Sequence, residues 1–530
     1  MKSAVLGSFA RRVLPVVLLG TLSLPAALGA AGLVRHHKRP KHQGRPNLAA
    51  EIDGILREPD VARAHWGISV VTMDGAQVYA YNDGELFEPA SNAKLTTIAA
   101  ALALLPAGAT WTTDAVTAGQ IDDKGVLHGN IDLLGAGDPT MSGRSYPYEG
   151  RTERPNPPLG ALESMADQIA AKGVRVVDGD IVGNDSWFPW EPYGGGWAWD
   201  DLQWDYGAPV SALTVNDNIV FLNIAGDGQP EWNPDTPYYK IENSLQVLPG
   251  RDEAKAGVEL EPGSKIVRLF GTVNENGLHV ALAIEDPAEY AATALRQMLL
   301  ARGITVSGEA LAEHRYSTDT EGFRAEVDQP LVLRPLTIRT IEPPANGMQV
   351  LATHVSPPFE QDIKVTLKVS QNLHAELYLR LLGRLEGGDG SIAQGARVVR
   401  QFLMQAGVDP DDFVFYDGSG LSPQDLITPR ALTRLLVYAS QQAWGEEFRD
   451  CLPVGGVDGT LDGRFLKPPL KGIVFAKTGT LGEVNSLSGY VKAASGRTVV
   501  FSILCNDHGP GGEAARNAID RIVADIAAAN

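Results

Sequence analysis

Apolar and polar residues alternate through positions 68–81, which read ISVVTM and AQVYAY on either side of Asp74-Gly75. A period of two broken by a glycine-bearing pair predicts a β-hairpin. The pattern then changes. From Ser91 to Leu105 the chain reads SNAKLTTIAAALALL, an apolar run that suits a helix starting near Ser91. Toward the C-terminus IVFAKTGT (473–480), NSLSGYV (485–491) and RTVVFSILC (497–505) predict three strands joined by short turns. Ala515, Ala518, Ile519, Ile522 and Ile526 then fall on one face of a closing helix.

Two strands at the front and three at the back suggest one antiparallel sheet assembled from both ends of the chain. Its apolar faces need covering, and helices near 91–105, 371–386, 391–406 and 512–528 are available to do that. The expected fold is therefore a mixed α/β (α+β) catalytic domain formed by 48–113 and 346–530 and split by an insertion at 114–345. Hairpin signals such as Asp123-Lys-Gly125 and Asn274-Glu-Asn-Gly277 point to one or two mostly β inserted domains. The aromatic stretch WFPWEPYGGGWAWDDLQWDYGAPV (187–210) reads as domain-core packing for most of its tryptophans, with a substrate rim as the alternative.

The first residues change the compartment. Lys2, Arg11 and Arg12 precede an uncharged run, Val13–Val34, which ends among small residues. Residues 1–31 read as a cleaved signal peptide, against the alternative of an uncleaved anchor, and 32–47 as a basic linker. The chain is thus expected to be exported, to the periplasm or cell envelope, where peripheral membrane or cell-wall association is open to it. The 530 residues carry a formal net charge of −19. Residues 1–50 hold eight Lys or Arg and no acid, so the remainder is more negative still. Such a body repels phosphate backbones and argues against nucleic acid as a partner. Of the two cysteines, Cys505 lies in an apolar strand, so buried thiols are expected rather than a disulfide.

Three short motifs carry the chemistry. Ser91-Asn92-Ala93-Lys94 is the chain's one S-x-x-K, Ser370-Gln371-Asn372 its one S-x-N, and Lys477-Thr478-Gly479 its one K-T-G. Each alone is weak evidence: a helix start, a cap, a strand end. In this order and these contexts they form the set used by serine acyl-transferring enzymes of the penicillin-recognising kind. At i and i+3 on a helix Ser91 and Lys94 are neighbours. Burial and a second cation, Lys477, would disfavour the ammonium of Lys94 and let it take the serine proton. Ser370 can relay a proton to the leaving nitrogen and Asn372 can hold the substrate amide. The backbone N–H groups of Ser91 and Thr480 are candidates for an oxyanion hole.

Beyond the motifs, EPASNAKLTT, LLGAGDPT, YGAPVSALTVNDN, LATHVSPP, KVSQNLHAELYLRLLG, YDGSGLS and LPVGGVDGTL resemble the low-molecular-mass class C penicillin-binding proteins. These form the peptidase S13 family of D-alanyl-D-alanine carboxypeptidases and endopeptidases. The resemblance implies a serine β-lactamase/transpeptidase-like domain with a large insertion between Ser91 and Ser370. It implies action on peptidoglycan stem peptides through an acyl-enzyme, with β-lactam antibiotics as acylating inhibitors and no cofactor; the sequence has no HExxH or Cys-His cluster, so no metal is expected. It places catalysis on Ser91, Lys94, Ser370, Asn372 and Lys477, and binding of the terminal carboxylate on Thr478, Gly479 and Thr480. One departure stands out: the family often has arginine after G-S-G-L-S, where this chain has Pro423. Proline has neither charge nor side-chain donor, so weak discrimination for a diaminopimelate carboxylate is expected, with Arg464 as the candidate substitute. Asp200 and Asp201 are weaker candidates for a substrate amine. The competing readings are a serine β-lactamase, for which no convincing deacylating Glu is evident, and a non-catalytic wall-binding module, which has no need of all four of Ser91, Lys94, Ser370 and Lys477.

Overall fold

The computed structural model describes residues 47–150, 154–250 and 253–530. The expected signal peptide and all of the basic linker but Asn47 lie outside the described residues.

The hairpin and the three C-terminal strands form a five-stranded antiparallel sheet in the order Gln77–Tyr81, His65–Thr72, Thr498–Asn506, Val484–Lys492, Val474–Leu481. Gly75, at φ +85°, makes the hairpin turn that a β-carbon would strain. Alternation along the central strand sorts its side chains between two cores. Val499, Phe501, Ile503 and Cys505 meet Ile519, Ile522, Val523 and Ile526 of the closing helix, Glu513–Ala529. Val500 and Leu504 point the other way, into a core shared with Ile98, Leu102, Leu432 and Leu436. Each of these fully buried side chains contributes roughly 1.5–3 kcal/mol, so the central strand is held from both faces.

The region between the motifs carries its own core, in which Leu133, Ile169, Ile181, Leu222 and Leu295 take part. It is rich in strands, as expected, but several pair in parallel, and helices Gly160–Ala171 and Pro287–Ala301 pack on them. Thr110–Thr117 runs across the expected junction at 113/114. It pairs with both Ile131–Leu134 and Gln349–Val355, so one sheet joins the two parts of the chain. A strand that serves two neighbours carries no mark of a boundary in its own pattern.

Cys451 and Cys505 are buried free thiols, as anticipated. The tryptophans at 187–204 meet the expectation of core packing only in part. Trp187 and Trp204 are half-buried and pack against the two large cores. The other three depart from it: Trp190 stacks on His314 with ring centroids 4.0 Å apart, Trp197 donates to Asp417 at 2.9 Å, and Trp199 is 76 % exposed.

Candidate active site

Ser91 lies in a 3₁₀ turn, Ala90–Ala93, that runs into the helix Lys94–Leu104. In a 3₁₀ turn positions i and i+3 eclipse, which brings the serine and lysine side chains together more closely than the helix expected from sequence. A second helix, Asn372–Leu382, begins directly after Ser370 and Gln371, and Gln371 caps it by accepting the Leu373 N–H. The strand Val474–Leu481 carries Lys477. The three motifs, far apart in sequence, converge on one cleft.

Lys94 Nζ is 2.9 Å from Ser91 Oγ, 2.6 Å from Asn372 Oδ1 and 2.7 Å from the Ser419 carbonyl oxygen. Lys94 is fully buried. Burial pushes its pKa down to about 7, although Asp417, Glu376 and Asp425 pull the other way. The geometry suits the neutral amine: two N–H bonds satisfy Asn372 and Ser419, and the lone pair is left for the Ser91 hydroxyl. Lys477 is equally buried and donates to Ser370 Oγ at 2.8 Å and to the Thr478 carbonyl at 2.7 Å. Burial, and then the charge of Lys94, holds its pKa well below that of an ordinary lysine.

Gly479 is where backbone meets backbone. A β-carbon there would lie 2.2 Å from Ser486 Oγ, 2.7 Å from the Pro89 carbonyl and 3.1 Å from Ser91 N. Only glycine lets the K-T-G strand approach the Ser91 turn so closely. Asn92 fixes that approach by donating to the Lys477 carbonyl at 3.1 Å and to Ser486 Oγ at 2.7 Å. Thr478 is half-buried and bonds the Thr460 hydroxyl at 2.7 Å, while Thr480 is exposed at the mouth.

Sequence reasoning missed the supports of these groups. Glu376 accepts the N–H groups of Gly418 and Ser419, each at 2.8 Å, and Asp417 accepts those of Ser419, Gly420 and Ser422. Together they set the carbonyl that meets Lys94. Asp417 was visible within YDGSGLS, but its role depends on a fold that no local pattern encodes. Tyr206 accepts from Asn372 Nδ2 through its carbonyl at 2.8 Å. Its hydroxyl donates to Asp201 at 2.9 Å, which brings Asp201 near the cleft, while Asp200 is exposed. Arg464 does not serve as the substitute cation: it is bonded to Asp520 on the closing helix at 2.5 Å. Pro423 is exposed.

The family model described as D-Ala-D-Ala carboxypeptidase 3 (S13) matches residues 48–321 and 335–528. A D-alanyl-D-alanine carboxypeptidase of Actinomadura is 29% identical over 535 residues, 97% of this chain and 89% of its own. The D-alanyl-D-alanine carboxypeptidase DacB of Haemophilus influenzae is 25% identical over 81% of this chain and 83% of its own. In fold, the crystal structure of penicillin binding protein 4 from Haemophilus influenzae aligns with a TM-score of 0.72 at 22% identity, covering 91% of this chain and 99% of that one. Matched through both halves of its catalytic cleft, the chain belongs to the D-Ala-D-Ala carboxypeptidase 3 (S13) family.

Proposed function

We infer that the protein is a penicillin-binding serine D-alanyl-D-alanine carboxypeptidase that acts on peptidoglycan stem peptides through an acyl-enzyme. The observation that carries this reading is the pairing of two buried amines with two serines, Lys94 with Ser91 and Lys477 with Ser370, in one cleft. Neutral Lys94 takes the Ser91 proton as Oγ attacks the carbonyl of the penultimate D-alanine. The N–H groups of Ser91 and Thr480 receive the developing oxyanion. Thr478 and Thr480 bind the terminal carboxylate, whose charge favours the protonated form of Lys477. Ser370, bonded to Lys477, passes a proton to the departing nitrogen, and Asn372 holds the amide of the acyl half. Water then frees the stem peptide.

The other two readings fare worse. Lys94 and Ser370 are arranged for proton transfer, which a wall-binding module does not require. A β-lactamase needs a further base poised for deacylation. A relative's structure, that of penicillin binding protein 4 from Haemophilus influenzae, has been solved with a β-lactam bound, which suits the same chemistry. Export to the periplasm or envelope follows from the leader sequence. Among the described residues no helix is long and apolar enough to cross a membrane.

A second activity has its own support. Beside Ser370, Asn372 and Thr460 opens a cavity of about 440 Å³, with Arg154 and Tyr206 on its wall. One departing D-alanine, with a single methyl side chain, leaves much of that space unused. A longer leaving group fits there, and this favours endopeptidase action on cross-links as well. Mass analysis of products from defined muropeptides tests both readings. Loss of one alanine from pentapeptide monomers is expected, together with cleavage of cross-linked dimers. Intact pentapeptides after long incubation would contradict the carboxypeptidase reading.

Pro423 carries a specificity prediction. A charge-assisted hydrogen bond is worth about 1.5–3 kcal/mol, roughly 10- to 150-fold in binding. Proline has no donor to supply it and Arg464 is engaged elsewhere, so kcat/KM for D-Ala-D-Ala peptides with diaminopimelate or lysine at the third position should differ by less than about 10-fold. A preference for diaminopimelate above about 100-fold would show that another group reads the carboxylate.

A further inference from the structure

Three consecutive non-glycine residues, Asn216, Asp217 and Asn218, have left-handed backbone with φ between +49° and +55°. Such strain is costly, of order 1–3 kcal/mol per residue, and persists only where the surroundings enforce it. Here side chains hold it: Asn216 donates to the Ile219 carbonyl and Asn218 to the Pro209 carbonyl, both at 2.8 Å. The effect is to aim Asp217, which is 1 % exposed, at the S-x-N motif from behind. Its carboxylate receives Arg144 Nε at 2.7 Å, Arg154 Nη2 at 2.5 Å, Gln371 Nε2 at 3.0 Å and His374 Nε2 at 3.3 Å. His374 in turn has Nδ1 2.8 Å from Asp362 Oδ1. Burial opposes the imidazolium, but Asp362 and Asp217 overcome it and raise the pKa to about 9, so at neutral pH a cation lies between two carboxylates.

Gln371 is the link to the chemistry. It is the middle residue of Ser370-Gln371-Asn372, and its side chain bonds Asp217 with one end and caps the following helix with the other. Ser370 beside it is also left-handed, at φ +62°, a conformation that serine rarely holds unaided. Asn372 is held independently, by Lys94 and by the Tyr206 carbonyl. The left-handed turn at Ser370 ends the helix Phe359–Lys368, with the Gln371 N–H bonded to the Thr366 carbonyl at 3.0 Å; the Ser370 hydroxyl meets Lys477, and the Gln371 side chain ties this turn to Asp217.

We propose that Asp217 is a positioning residue for the reaction, fixing through the Gln371 side chain the turn that presents the Ser370 hydroxyl to Lys477. The segment 205–218 is then part of the catalytic apparatus, although it touches no reacting atom. This inference rests on the role assigned above to Ser370.

The test is the rate of acylation by a chromogenic β-lactam, measured by single-turnover mixing for Asp217→Asn, Gln371→Ala, Ser370→Ala and the pair Gln371→Ala with Ser370→Ala, each with its Tm. Asp217→Asn and Gln371→Ala should each slow acylation about 10- to 100-fold, as misplacement by an ångström can. In the Ser370→Ala background Gln371→Ala should cost nothing more, because the group it positions is gone. A general loss of structure would add its cost in both backgrounds. If Asp217→Asn does not fold, Gln371→Ala alone decides. Acylation by Gln371→Ala within about 2-fold of the parent, or an equal loss with and without Ser370, would overturn the proposal. Parental acylation by Ser370→Ala would instead overturn the role of Ser370 and this inference with it.

Discussion

Replacing Ser91 with alanine should lower turnover of D-Ala-D-Ala peptides by about 10⁶-fold, the scale seen when a hydrolase loses the nucleophile of a catalytic set. The loss should be confined to the chemistry. Ser91 is half-buried and its hydroxyl is bonded to Lys94 Nζ. The turn itself is secured by other contacts: Asn92 to Lys477 and Ser486, and Ser486 to the Pro89 carbonyl. The variant should therefore keep its Tm and still bind substrate, since Thr478, Asn372 and Lys477 are untouched. Steady-state kinetics with a diacetylated tripeptide ending in D-Ala-D-Ala, read beside a thermal melt, checks both halves. Turnover within about 100-fold of the parent, far short of that loss, would mean that another group attacks the carbonyl.

The second large effect concerns the base. Lys94→Met keeps an unbranched chain in the same space and removes the amine. General-base catalysis is worth about 10²–10⁴ in rate, and a loss of that size in kcat/KM is expected. The pH profile separates this role from simple packing. In the proposed role Lys94 acts as the neutral amine, and burial pushes its pKa down to about 7. For the parent enzyme kcat/KM should therefore fall as pH drops below about 7, where Lys94 gains its proton. In Lys94→Met that acid limb should vanish. A parent profile that stays flat from pH 5.5 to 8.5, a window spanning about 1.5 pH units on either side of the pKa, would contradict the assignment.

Much of this site was legible because its residues are tied to local patterns. Ser91 and Lys94 sit where a helix starts, Ser370 and Asn372 bracket a helix cap, and Lys477 lies on an alternating strand. Period and spacing alone placed the five strands of the main sheet. What stayed hidden depends on convergence. Asp217, His374 and Asp362 come from three separate segments, and each reads locally as a turn polar residue or a stray charge on a helix. Glu376 looks like an ordinary solvated helix acid, yet it is fully buried against Arg380 and the 417–422 loop. Trp190, Trp197 and Trp199 misled in the opposite direction, because hydrophobic mass does not distinguish a core from a junction between segments. Arg464 looked available only until its fold-made partner, Asp520, was seen.

The central claim is that Ser91 is the acylated nucleophile. Intact-mass analysis after incubation with a penicillin measures this directly, followed by peptide mapping. The account predicts one covalent adduct per chain, carried by the peptide that contains Ser91 and absent from Ser91→Ala. An adduct that survives that substitution, or that maps to a different peptide, would contradict it.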